Sequence, residues 1–143
     1  MSDALYHALI VEHDRSPRNE GPLDGATHEA TLDNPLCGDI VTMRAIVSDS
    51  RVVVTTFEAR GCALCRAAAS LLTIRITGET LDEVDAVIDT FEGLLVGSDA
   101  DRENVELGDL EVFEGVSRVR SRRSCALLPF RAIAKALGVR SSL

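Results

Sequence analysis

Four cysteines, at positions 37, 62, 65 and 125, are the residues of this chain best equipped for chemistry, and each lies in a segment that marks a turn or a helix start. In Asn34-Pro35-Leu36-Cys37-Gly38-Asp39, Pro35 and Gly38 signal a tight turn before a strand. That turn carries a thiol and a carboxylate two residues apart, with a glycine between them that lets both converge on one point, as metal ligation requires. In Gly61-Cys62-Ala63-Leu64-Cys65, Gly61 ends a strand and Cys62 opens a helix, where free N–H groups and the helix dipole favour a thiolate. Thiolate is both the better nucleophile and the form that binds metal. Cys65, one turn on, is placed to reach the same ligand or to pair with Cys62. In Arg122-Arg123-Ser124-Cys125, guanidinium groups within a turn of the thiol should lower its pKa, and they could also pair with Asp39.

Each segment alone has a plain structural alternative: a small buried cysteine, an aspartate in a turn, or Cys125 packed beside Leu127 and Leu128. Taken together they point to one place. A cysteine before a strand, another at a helix start after the next strand and a third in the last helix meet at the end of a small sheet. Three thiolates and the Asp39 carboxylate form a four-ligand tetrahedral zinc site, or one face for an iron–sulfur cluster. The gaps of 25 residues from Cys37 to Cys62 and 63 from Cys62 to Cys125 are unlike the close ligand pairs of a zinc finger, so the fold must assemble this site.

The elements that would position these residues can be read from periodicity. Ala4 to His13 fits a short amphipathic helix, and Arg15 to Gly25, with two prolines and two glycines, fits a loop. Thr27–Leu32, Ile40–Val47 and Arg51–Ala59 are strand candidates, the last two joined as a hairpin across Ser48-Asp49-Ser50. Leu64, Ala67, Ala68, Leu71 and Leu72 trace one face of a helix that begins near Cys62 and stops at Gly78. Thr80-Leu81-Asp82-Glu83 is a capping box, opening a helix that buries Leu81, Val84, Ile88, Phe91 and Leu95. Gly97 to Val116 is acidic and irregular. Arg122 to Leu137 is helical with a break expected at Pro129, and Gly138 terminates it. The expected class is α+β: one domain over residues 1–143, with a small antiparallel sheet of about three strands and helices packed on one face.

Charge excludes several classes of function. Of the net −8, Glu79–Glu114 contributes −12 (13 acids, one base) and Gly115–Leu143 contributes +7 (six Arg, one Lys), residues 1–78 making up the remaining −3. Such a chain repels nucleic acid overall, and with no Trp and five Phe plus Tyr it has no stacking platform for bases. The basic stretch is expected to pack beside the acidic one. No apolar run reaches the ~20 residues of a membrane helix, and the N-terminus lacks a basic-then-apolar leader. The expectation is a soluble, cytoplasmic protein that binds neither nucleic acid nor membrane, and in that compartment cysteines serve as ligands or reactive thiols more often than as disulfides.

Over nearly its whole length the chain resembles the U-type iron–sulfur assembly proteins, SufU, IscU and the N-terminal domain of NifU. The resemblance is carried by Leu5-Tyr6 through His13, Ser16-Pro17-Arg18-Asn19-Glu20-Gly21, Asn34 to Asp39, Phe57-Glu58-Ala59-Arg60-Gly61-Cys62 and Arg122 to Pro129, in that order. The cluster-scaffold branch usually has His before the last Cys; here Ser124 stands there. The long path to Cys125, through Leu107-Gly108-Asp109-Leu110-Glu111 and Glu114-Gly115-Val116-Ser117, resembles the insertion of the SufU branch. That branch implies zinc held at Cys37, Asp39, Cys62 and Cys125. It also implies persulfide sulfur accepted by Cys37 from a SufS-type cysteine desulfurase, with other Suf assembly proteins as further partners and Arg122 near the metal. On that pattern the desulfurase contributes a ligand on docking, and Cys37 leaves the metal to attack its persulfide.

Cys65 departs from the pattern, which usually has Ser there. A fourth thiol could replace Asp39 as a ligand, form a disulfide with Cys62, stand near the site as a bystander, or only pack in the core. Within the family, the competing reading is a scaffold that assembles a [2Fe–2S] cluster on Cys37, Cys62 and Cys125 for delivery to acceptor proteins. Outside it, Cys62-x-x-Cys65 imitates a thiol redox motif, and a zinc domain that only binds partners is the plainest reading. His7 and His28 are expected to face solvent, and His13 to pack or cap the first helix rather than bind metal.

Overall fold

The computed structural model describes residues 3–97, 104–116 and 118–139, with side chains from His7 onward, so residues 98–103 of the acidic segment lie outside the described residues. The elements run α1 (Asp3–Arg15), β1 (His28–Asn34), β2 (Asp39–Ser48), β3 (Arg51–Arg60), α2 (Ala63–Ile76), α3 (Leu81–Val96), a 3-10 helix (Gly108–Val116) and α4 (Arg120–Leu137). The three strands form an antiparallel sheet in the order β1-β2-β3. One face of β2, carrying Val41, Met43 and Ala45, is fully buried together with Phe57 of β3, while Ile40 on the opposite face is exposed. Helices α2 and α4 pack on the buried face, and the expected α+β class with helices on one side is what the chain adopts.

The β2–β3 hairpin closes through Asp49 (φ 52°) and Ser50 (φ 60°), a pair of left-handed residues of the kind that suits the twist of a two-residue turn. A register shift between Ile46 and Val47 changes the alternation in β3: Val52, Thr55 and Phe57 are buried, whereas Val53 is exposed. Strict period-2 alternation would put Val53 on the same face as Thr55 and Phe57. The bulge inserts one residue and reverses the phase at that end of the strand.

Helix α3 has the expected capping box, with the Glu83 N–H donating to Thr80 Oγ1 at 3.1 Å and the Thr80 hydroxyl to Glu83 Oε1 at 3.1 Å. Two further expectations are corrected. The stretch read as irregular before Val116 contains a 3-10 helix, held by buried Leu107, Leu110, Val112 and Phe113; Phe113 packs edge-on to Phe91, which in turn stacks on Phe130 of α4 at 3.8 Å between centroids. And α4 is unbroken, running from Arg120 through Pro129 to Leu137. Proline removes one hydrogen bond, to the Cys125 carbonyl four residues back, but Cys125 to Phe130 are all buried, and packing on both sides of that point holds the helix together.

The loop after α1 is docked on α2 by a buried polar network. His13 Nδ1 lies 2.7 Å from Ser70 Oγ, which accepts the Arg18 N–H at 2.9 Å, and the Asn19 amide donates to Thr73 Oγ1 at 3.0 Å. Arg66 of α2 pairs with Asp14 and Glu20 and donates to the Ala59 carbonyl, joining α1, the loop and β3. His13 is thus a packing residue, as expected, and His7 is exposed; His28 is half-buried rather than solvent-facing, its Nδ1 2.8 Å from Thr27 Oγ1.

Burial, followed by the nearby Arg18 charge, holds His13 below the ordinary histidine pKa of 6.5. The folded chain therefore resists a proton that the unfolded chain accepts, so stability is full above that value and is lost as pH falls below it. Melting temperature should drop between about pH 7.5 and about pH 5.5, and His13→Gln, which retains a polar partner for Ser70, should flatten that slope. A slope unchanged in the variant would remove His13 as its source.

Candidate metal centre

The segment Asn34–Asp39 is the hairpin loop between β1 and β2, closed by the Asn34–Asp39 pair. Its conformation follows from its residues. Asn34 Oδ1 accepts the Leu36 N–H at 3.2 Å, its carbonyl accepts the N–H of Cys37 (3.2 Å) and of Gly38 (2.8 Å), and Gly38 adopts φ 77°, which a side chain would oppose. The turn leaves Cys37 exposed and sends Asp39 inward, where it is 1% exposed.

Cys62 is the N-cap of α2, as expected for a thiol at a helix start. The acceptor for its backbone N–H is Asp39 Oδ1 at 2.9 Å. The other carboxylate oxygen faces thiols: Cys37 Sγ donates to Oδ2 at 3.2 Å and Cys62 Sγ lies 3.6 Å from it. Cys125, buried in the second turn of α4, brings its Sγ to 3.4 Å from that of Cys37. The donor atoms of Cys37, Asp39 and Cys125 all lie within 4.8 Å of one another, and Cys62 adjoins the group through Asp39. All four residues first named as ligands meet at one end of the sheet.

Asp39 makes the donor set informative. Burial pushes its carboxyl up, yet hydrogen bonds from Cys125, the Cys62 N–H, Cys37 and the Cys62 thiol outweigh this and leave it below the ordinary carboxylate value. It is a buried anion, and no Arg, Lys or His pairs with it among the described residues. A buried charge without a counter-ion is costly, and three thiols with one carboxylate are a donor set suited to zinc. The residues fit a thiophilic cation.

Two expectations about the neighbouring side chains are corrected. The arginines do not lower the pKa of Cys125; it is raised, first by burial and then by hydrogen bonds to Asp39, Cys37 and Cys62. Arg122, one turn before Cys125, is exposed and forms no ion pair with Asp39, while Cys125 is buried, so the guanidinium charge is screened by solvent. Cys65 is fully buried within the hydrophobic core and is not one of the converging donors among the described residues, yet it lies near enough for Asp39, Cys62 and Cys37 to add to the burial that pushes its thiol up. Cys65, Ala69, Leu72 and Ile76 are all fully buried at helical spacing, a stripe already legible in the sequence.

Sequence reasoning missed what Gly61 does. It adopts φ 149°, and a Cβ there would land on Asp39 Oδ1, 2.6 Å from Cγ and 3.0 Å from Cα. Gly61 is the wall against which the carboxylate rests while it receives the Cys62 N–H.

The model of the NifU-like N terminal domain matches residues 5–126. This chain belongs to that family. It is 32% identical over 133 residues to the zinc-dependent sulfurtransferase SufU of Bacillus subtilis, covering 93% of this chain and 89% of that protein. It is 29% identical over 133 residues to the iron–sulfur cluster assembly scaffold protein IscU of Streptococcus pyogenes, covering 93% and 82%. The crystal structure of the N-terminal part of a nitrogen-fixing NifU-like protein from Brucella abortus superposes with a TM-score of 0.83 at 28% identity, covering 95% of this chain and 94% of that one. The fold expected from the resemblance is therefore the fold observed. No helix among the described residues is long and apolar enough to cross a membrane.

Replacing Gly61 tests the wall directly. Gly61→Ala should displace Asp39 and weaken zinc binding about tenfold or more, the usual cost of disturbing a group that orients a ligand. Competition titration against a chromophoric chelator measures this, and an affinity equal to wild type would show that the carboxylate does not need that seat.

Proposed function

We propose that the protein works in iron–sulfur cluster assembly as a zinc-binding sulfur acceptor, taking persulfide sulfur on Cys37 from a SufS-type cysteine desulfurase. The observation that carries this reading is the buried, unpaired carboxylate of Asp39 set among three thiols, with one of them, Cys37, open to solvent. Cys37, Asp39, Cys62 and Cys125 would hold the ion, and bound zinc would keep the thiols deprotonated near neutral pH. The similarity to a zinc-dependent sulfurtransferase supports the same choice.

The chain's own residues divide the work. Cys37 rides on a hairpin loop at the surface, so its sulfur can meet one carried by another protein. Its thiolate attacks the outer sulfur of the partner's persulfide: the new S–S bond forms at Cys37, the partner's S–S bond breaks, and the partner's cysteine leaves as a thiolate. No oxidant or reductant is consumed. Asp39 is held by the Cys62 N–H through Oδ1 and turns Oδ2 to the thiols, so it would supply the carboxylate donor to a bound ion and be its most exchangeable ligand. Cys62 and Cys125, on α2 and α4, anchor the site to the core.

The relatives named as scaffolds favour a second reading, in which the same thiols carry a [2Fe–2S] cluster. Metal analysis separates the two. Protein purified anaerobically without added metal should contain about one zinc per chain and be colourless; iron with labile sulfide and visible absorption would move the assignment to the scaffold. With a SufS-type desulfurase and cysteine, the protein should gain one sulfane sulfur and raise desulfurase turnover. Cys37→Ala should bind zinc more weakly and accept no sulfur. Full acceptance by that variant would overturn the role of Cys37.

A further inference from the structure

A single backbone N–H, that of Cys62, orients the buried carboxylate of Asp39. Its direction is set by the connection between β3 and α2, in which only Gly61 and Cys62 lie outside the two elements. Gly61 adopts φ 149°, and glycine moves among backbone conformations more freely than any other residue. Left to itself this connection would not keep the Cys62 N–H in one orientation, so something outside it must.

Arg66 grips the connection at both ends. Its backbone N–H donates to the Cys62 carbonyl at 3.2 Å, and its side chain reaches back, Nη1 donating to the Ala59 carbonyl at 3.1 Å. Two carboxylates keep the guanidinium in that pose: Nε donates to Asp14 Oδ1 at 3.2 Å and Nη1 to Glu20 Oε2 at 3.1 Å. Glu20 is fixed in turn by its neighbours, since the Phe57 N–H donates to the Asn19 carbonyl at 3.0 Å and the Gly21 N–H to the Phe57 carbonyl at 2.8 Å. Arg66 forms no ion pair with Asp39 and is not among the groups that shift that carboxyl. What it supplies to the site is direction, not charge.

We propose that Arg66 is a positioning residue of the thiol site: by closing the chain between Ala59 and Cys62 it aims the Cys62 N–H at Asp39 Oδ1 and so turns Oδ2 towards the thiols. The aim of that N–H rests on geometry alone, and its consequence for a bound ion rests on the zinc-binding reading. Three acceptors on three sides call for the branched donor set of a guanidinium; lysine would keep the charge and lose the fork. The tie that Arg66 makes between α2 and the loop after α1 is a separate matter. Ser70 shares that tie, accepting the Arg18 N–H at 2.9 Å, and takes no part in the connection.

Amide hydrogen exchange read by NMR on the full chain, before and after zinc is added, tests the role. Arg66→Gln should speed exchange of the Cys62 amide about tenfold or more, while the Leu71 and Leu72 amides of α2 keep their wild-type rates. Arg66→Lys, which retains a charge for Asp14 and Glu20, should show the same local change and serves if the glutamine variant does not fold. Both should bind zinc about tenfold more weakly and, loaded with cobalt(II) instead, show a visible spectrum displaced from wild type. Ser70→Ala should lower the melting temperature yet leave Cys62 exchange, zinc affinity and the cobalt spectrum unchanged. Wild-type Cys62 exchange and affinity in the Arg66 variants, or an equal loss of affinity in Ser70→Ala, would overturn the role of Arg66 and leave the zinc reading standing. Faster Cys62 exchange in the variants, with a wild type that takes up neither zinc nor cobalt, would keep the role and remove the zinc reading.

Discussion

The hydrogen bond from the Cys62 backbone N–H to Asp39 Oδ1 is the contact on which the rest of the site depends. It ties the start of β2 to the start of α2, fills one of the amide positions that a helix N-terminus leaves open, and fixes which carboxylate oxygen faces the thiols. A carboxylate in that position requires a neighbour without a side chain, which Gly61 supplies, and a turn that sends residue 39 inward while residue 37 stays outside, which Gly38 supplies. The negative charge is then retained in a buried place by thiol and amide donors rather than by a cation of the chain. That is a site prepared for a positive ion.

The remaining architecture keeps three separate elements in register around this contact. Helix α2 cannot slide along the sheet, because Arg66 joins it to α1, to the loop after α1 and to the end of β3, and because Ser70 and Thr73 are bonded into the same loop. Helix α4 is held at its far side by the Phe91–Phe130 stack and the buried run from Cys125 to Phe130. The loss of one hydrogen bond at Pro129 is tolerated for the same reason. Rigid anchoring of Cys62 and Cys125 contrasts with the exposed turn that bears Cys37, as the proposed acceptor role of Cys37 would require.

Much of this was legible in the residues. The turn at Asn34–Asp39, the helix start at Cys62 and the capping box at Thr80 are local features. Their outcome is dictated by glycine, proline and short polar side chains acting on the neighbouring backbone, so sequence reading found them and found the four converging donors. The helical phase that buries Cys65 was also present in the spacing, and core packing was one of the readings open for that thiol. The bulge between Ile46 and Val47 and the continuity of α4 through Pro129 were not legible, because both are settled by what packs against them.

What the sequence by itself determined is the chemistry on offer: three thiols and a carboxylate delivered by a turn, a helix start and a last helix, in a chain that matches one family over residues 5–126. What only the tertiary structure decided is the state and setting of those groups. Burial, then hydrogen bonds to Asp39 and the neighbouring thiols, push the Cys125 thiol up, against the expectation raised by its arginine neighbours, because Arg122 is exposed while the sulfur is buried. Residues distant in sequence also decided that Asp39 has no cationic side chain beside it among the described residues, and that Gly61 is its seat. Local rules act over a few residues, whereas desolvation and exposure depend on everything the fold brings near.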